Sequence, residues 1–175
     1  LRPTLKPAHL TLSFAPGECA QVDWGVWQSV DMPGGRRRLS FFAMVLCHSR
    51  MLYVEFFFRE STEHWLQAHR NAFEYFGGVP DRVMVDNCKT AVLKAKRSDS
   101  AAELNPVYAE FANHYGFTPV PCNPRRPNEK GRVENAVGYV KGSFLAGRQP
   151  ERPEVLNPAA KHWLENTANV RMHGT

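Results

Sequence analysis

An aspartate in the middle of an apolar strand constrains this chain more than any other feature. From Cys19 to Trp27 the sequence reads CAQVDWGVW, and Cys19, Ala20, Val22, Trp24, Val26 and Trp27 form the near-continuous apolar run of a strand buried on both faces. A carboxylate at Asp23 loses hydration there, and a cation, hydrogen-bond donors or a metal must offset that loss. The rest of the chain therefore has to bring Asp23 a partner. Two plainer roles stay open for it, as a hydrogen-bonded core group or as a bulge residue.

Downstream, the hydrophobic period assigns the neighbouring elements. Strands are expected over Arg38–Cys47 and Met51–Phe57, joined by the short "HSR" connection of a hairpin, so three strands form an antiparallel meander. The period then changes to 3.6. Ser61 or Thr62 caps a helix carrying Trp65, Ala68, Ala72, Phe73 and Phe76 on one side, and Gly77-Gly78 ends it. Arg82–Asp86 is a short buried strand with a carboxylate at its end, reached by a helical crossover. The stretch 87–102 fits either a short helix or an irregular basic loop. Asn105-Pro106 opens a helix that stops at Gly116, and Phe117–Cys122, with two prolines, suits an edge strand.

After the rigid segment NPRRPN, a helix is expected from Glu129 to Leu145. Its buried stripe is Val133, Ala136, Val137, Val140 and Phe144, and Lys130, Glu134, Gly138 and Lys141 lie on an adjoining face. Asn157-Pro158 is the expected cap of a last helix with Ala160, Trp163 and Leu164. The domain plan is an N-terminal arm or linker over 1–17, a core over 18–146, and a linker plus helix over 147–175 leading to a downstream domain.

Charge placement points to a polyanion. Arg36–Arg38, the set Lys89, Lys94, Lys96 and Arg97, and the set Arg125, Arg126, Lys130, Arg132 and Lys141 hold 12 of the 22 basic residues, although each run alone is also compatible with a solvated loop. The four cysteines form no C-x-x-C pair, which argues against structural zinc and for buried free thiols in a reducing compartment. No window approaches 18 uninterrupted apolar residues, so a soluble intracellular protein with no membrane partner is expected.

Asp23 and Asp86 share a setting, each on or just after a buried strand, and two such charges in one sheet repel unless a cation or proton joins them. Oxygen ligands at a nucleic-acid surface suit Mg²⁺, and Glu134 is placed to complete a two-metal site. Plainer roles compete here as well: Asp86 as an Asx-turn residue, Glu134 as a solvated helix carboxylate, and Glu129 as an alternative acid at the helix entrance.

Three motifs in order, VDWG at 22–25, VDN at 85–87 and NPRRPNEKGRVEN at 123–135, resemble the catalytic core of DDE transposases and retroviral-type integrases. Their pattern is most similar to the large IstA-type transposase of insertion sequences that work with a helper ATPase. The resemblance implies a ribonuclease H-like α/β fold, with a mixed five-stranded sheet, an antiparallel three-stranded meander and flanking helices. It also implies that Asp23, Asp86 and Glu134 hold Mg²⁺, with Mn²⁺ as a substitute, for donor-end cleavage and strand transfer. Arg125, Arg126, Lys130 and Lys141 would contact double-stranded DNA, and the protein would self-associate on DNA in a bacterial cytoplasm. Gly138 stands where integrases often carry a second basic residue. A nuclease without strand transfer and an inactive DNA-binding module are the rival functions.

Overall fold

The computed structural model describes residues 13–94, 101–123 and 130–172. Arg125, Arg126 and Glu129 lie outside the described residues. Three long strands, β1 (Cys19–Met32), β2 (Gly35–Leu46) and β3 (Leu52–Phe57), form the antiparallel meander. Helix α1 (Thr62–Phe76) then crosses to β4 (Arg82–Val85), which lies parallel to β1, and β7 (Thr118–Pro121) lies parallel to β4 at the sheet edge. The order β3-β2-β1-β4-β7 is the mixed five-stranded sheet that the motifs implied. Between β4 and β7 are a small hairpin, β5 (Val92–Lys94) with β6 (Glu103–Leu104), and helix α2 (Pro106–Tyr115). This hairpin lies in the stretch for which the sequence left helix and loop open.

The local signals explain the helix ends. The Ser61 side chain accepts from the His64 N–H, and Gly77 closes α1 in the left-handed conformation. Asn105 caps α2 ahead of Pro106, and Gly116 ends it the same way.

The structure corrects three expectations. Strand β1 runs five residues beyond Trp27 because its hairpin with β2 continues through a bulge between Val26 and Ser29. Asp23 is not in that bulge; it is in register opposite Ala43. The helix expected over 129–145 is α-helical as α3 (Gly131–Tyr139) and then widens to π-helical turns over Val140–Phe144. The last helix, α4 (Pro153–Trp163), begins one turn before Asn157 and carries Pro158 inside it. Asn157 caps no helix. Its side-chain amide accepts from the Phe56 N–H and donates to the Phe56 carbonyl, and Asn169 does the same at Leu52, so two amides cover the outer edge of β3.

Strand alternation divides the core between the two sheet faces. Ala20, Val22, Phe42, Met44, Val83 and Val85 pack under α1 and α2. Phe41, Ala43, Val45, Val54 and Phe56 pack under α3 and α4, where Leu156, Ala160 and Leu164 make α4 part of the folded unit. No helix among the described residues is long and apolar enough to cross a membrane.

Gly25 marks the tightest contact near the site. A Cβ there would collide with the ring of Phe41, which is fully buried. Gly25→Ala is expected to destabilise the fold by about 1–3 kcal/mol through overpacking. Urea unfolding checks this, and an unchanged midpoint would mean that the Phe41 ring has room to move.

Candidate active site

Parallel pairing brings the two aspartates together. Val22 is the register partner of Val85, so the next residues along each strand are Asp23 and Asp86, where β4 has just ended and β1 continues. Neighbouring strands lie about 4.8 Å apart, which holds the carboxylates side by side. Two-residue alternation turns Gln21 and Asp23 to the face covered by α3, opposite to Val22.

Helix α3 is fixed to that face by one side chain. Gln21, 1% exposed, accepts through Oε1 from the backbone N–H groups of Arg132 (3.1 Å) and Val133 (3.0 Å). These are first-turn donors that no intrahelical carbonyl satisfies. Lys130, the residue before α3, has no capping side-chain bond of its own, so a strand residue 111 positions away supplies the cap.

The anchored helix start delivers the partner that Asp23 requires. Lys130 Nζ lies 2.7 Å from Asp23 Oδ2 and 2.9 Å from Asp86 Oδ2, and the Lys130 side chain is only 13% exposed. Asp23 Oδ1 also accepts from the Trp24 N–H at 2.9 Å. Burial holds the Asp23 carboxyl above its ordinary value, against the pull of the Lys130 ammonium. At the more exposed Asp86, burial pushes upward too, but the Lys130 hydrogen bond and the Asn87 N–H outweigh it and its value falls below the ordinary one. Burial lowers Lys130, and the two carboxylates more than reverse that. A single cation therefore bridges two carboxylates. The sequence placed Lys130 among phosphate contacts, and in this structure its ammonium faces the acids.

Glu134 is on the first turn of α3, four residues after Lys130 and so on the same side of the helix, with an exposed side chain. Its carboxylate makes no hydrogen bond or ion pair among the described residues. No group of three His, Cys, Asp or Glu side chains among them is gathered closely enough to hold a metal. The structure thus joins Asp23 and Asp86 and leaves Glu134 beside them, while Lys141 is exposed on the widened turn.

Two carboxylate oxygens within 2.9 Å of one point suit a divalent cation, because the ammonium already marks a position where positive charge is stabilised. The donor set is all oxygen. It fits Mg²⁺ or Mn²⁺ better than a thiophilic metal.

The family profile described as "Integrase core domain" matches residues 14–127. The chain belongs to this family. Among curated relatives, it is 38% identical over 160 residues to a transposase for an IS21-like insertion sequence element of Bacteroides fragilis, covering 91% of this chain and 30% of the relative. It is 33% identical over 170 residues to the transposase for insertion sequence element IS21 of Pseudomonas aeruginosa, covering 95% of this chain and 43% of that protein. The chain thus spans less than half the length of these relatives. Its fold is that of the HTLV-2 integrase catalytic core domain solved with magnesium in dimeric form, with TM-score 0.59 at 18% identity over 91% of this chain and 92% of that one. It also matches a chain of a simian T-cell lymphotropic virus intasome, with TM-score 0.69 at 16% identity over 98% of this chain and 56% of that one. These likenesses establish the ribonuclease H-like integrase-core fold inferred from the three motifs.

The sequence missed Gln21, the residue that positions the site. Its signal was present: a long amide at i−2 from Asp23, hence on the same strand face, inside a run that is otherwise apolar. Gln21→Leu is expected to orphan two helix N–H donors at about 1–3 kcal/mol each. Calorimetric unfolding measures the loss, and a variant as stable as the parent would show that α3 is held by its apolar stripe alone.

Proposed function

We propose that this chain is the catalytic core of a DNA transposase that cleaves donor ends and transfers strands into target DNA. The observation that carries this reading is the convergence of Asp23 and Asp86 on one cation, in a family whose curated relatives are named transposases. Asp23 and Asp86 would hold Mg²⁺ or Mn²⁺, with Glu134 as the third carboxylate from the first turn of α3. A bound divalent cation supplies Lewis-acid stabilisation of charge developing on the scissile phosphate and lowers the pKa of the attacking oxygen.

The chain's own residues orient this chemistry. Gln21 sets the height of α3 above the sheet, which determines where Lys130 and Glu134 stand relative to Asp23. Lys130 neutralises the two acids, and its ammonium, if released from them, would become a phosphate contact together with Lys141, Arg125 and Arg126. These contacts position the DNA backbone without reading bases. Residues 18–146 carry the catalytic residues and 1–17 lead in to them, while 147–175 add helix α4, which packs into the same core, and then pass toward a downstream domain. The active assembly is a homo-oligomer on double-stranded DNA in the bacterial cytoplasm, served by a helper ATPase as in the IstA type.

An assay for joined products tests the reading. The full-length protein with Mg²⁺ should both nick element ends and join them to target DNA. Nicking without joining would replace the transposase by a nuclease.

A further inference from the structure

On the other side of α3 from the aspartates is a cavity of about 290 Å³ into which Arg50, Arg132 and Arg171 all contribute, together with Asn135 and Tyr139. The three arginines come from separate elements: the β2–β3 connection, the first turn of α3 and the segment after α4. Among the described residues, none of those lining the cavity is acidic. Arg50 and Arg132 are half-buried and Arg171 is exposed; like charges gathered from three places repel one another, and an anion among them relieves that repulsion.

Local structure fixes two of the guanidiniums and strains the backbone of the third arginine. The Arg171 guanidinium lies over the Tyr139 ring at 3.5 Å, and that of Arg132 over the Phe14 ring at 4.7 Å. Stacking holds the plane of each group, and Arg171 Nε also donates to the Ala168 carbonyl at 3.3 Å. Arg50 has φ +63, and it is the one residue other than glycine with positive φ among the described residues. The tight β2–β3 turn sets that conformation, since the Arg50 N–H donates to the Leu46 carbonyl, and it places the Arg50 side chain at the cavity.

We propose that this cavity is a phosphate-binding site that takes one backbone phosphodiester of the DNA, alongside the strand held at Asp23 and Asp86. Guanidinium forks match phosphate geometry, Asn135 and Tyr139 add neutral polar groups, and α3 connects the cavity to the carboxylates, since Lys130 and Arg132 are two residues apart. The assignment rests on the transposase reading for the identity of the polyanion alone. Its readout is binding, so it can fail while cleavage by the aspartates stands, and the reverse.

The test uses inorganic phosphate and a DNA duplex with the 175-residue chain, unaltered and as the R50N/R171Q variant; asparagine tolerates the left-handed backbone at 50. Phosphate should broaden its own ³¹P resonance and raise the melting temperature of the unaltered chain, and the variant should bind phosphate about tenfold more weakly. Loss of one phosphate contact should also lower the slope of log affinity for DNA against log salt by about 0.9. Weaker phosphate binding with an unchanged DNA slope would make this a small-anion site and overturn the DNA assignment. No ³¹P broadening with the unaltered chain would overturn the site altogether, whether or not the variant folds.

Discussion

Asp86→Asn is expected to abolish donor-end cleavage and strand transfer by the full-length protein, a fall of about 10³-fold or more, while DNA affinity changes little. Asparagine preserves the shape of the side chain, and Asp86 follows β4 rather than lying in the core, so the fold has no reason to fail. What changes is charge. The pair loses half its negative charge at the point where Lys130 Nζ now sits, and a divalent cation loses an anionic ligand. Asp23→Asn should have the same effect for the same reason. Single-turnover cleavage of a labelled element end in Mg²⁺, next to duplex binding by anisotropy, separates the two quantities. Cleavage retained by Asp86→Asn would sink the active-site assignment, whereas joint loss of cleavage and DNA binding would point to misfolding.

The second large effect concerns Lys130. Its ammonium and a divalent cation would compete for the same two carboxylates, Asp23 and Asp86. Lys130→Met keeps the aliphatic stem and removes the competitor, so Mn²⁺ should bind tighter, by on the order of tenfold, or about 1.4 kcal/mol. Without metal the same variant leaves two carboxylates facing each other. It should lose on the order of 2 kcal/mol of stability, short of the figure for a fully buried pair because Asp86 is 45% exposed. Added Mn²⁺ should restore that stability. Isothermal titration with Mn²⁺, with unfolding in chelator as its companion, reads both terms. Mn²⁺ binding that is unchanged or weaker in Lys130→Met would mean that the lysine and the metal occupy different places.

These predictions follow from a site whose two halves differ in how far the sequence exposes them. Strands, helix caps and the edge character of β7 depend on period, on Ser61 and Asn105, and on Pro119 and Pro121. Such signals act over a few residues and are readable locally. The last helix was misread because Asn157-Pro158 has the form of a cap, and only the proximity of Phe56 shows that Asn157 bonds to a strand edge instead. The widening of the helix after Tyr139 has no local signal that we identify.

At the site, the sequence by itself determined that Asp23 needs a partner, since a carboxylate in an apolar strand has lost its water, and three ordered motifs indicated the family. It did not determine who the partner is. Register decided that Asp86 stands beside Asp23, because pairing Val22 with Val85 leaves those residues next in line. Gln21 decided that Lys130 reaches both, by holding the first turn of α3 across more than a hundred residues of chain. Desolvation is a property of one residue and its neighbours in sequence, whereas bridging two charges requires three segments to meet at one point, and only packing of α3 on the sheet brings them there.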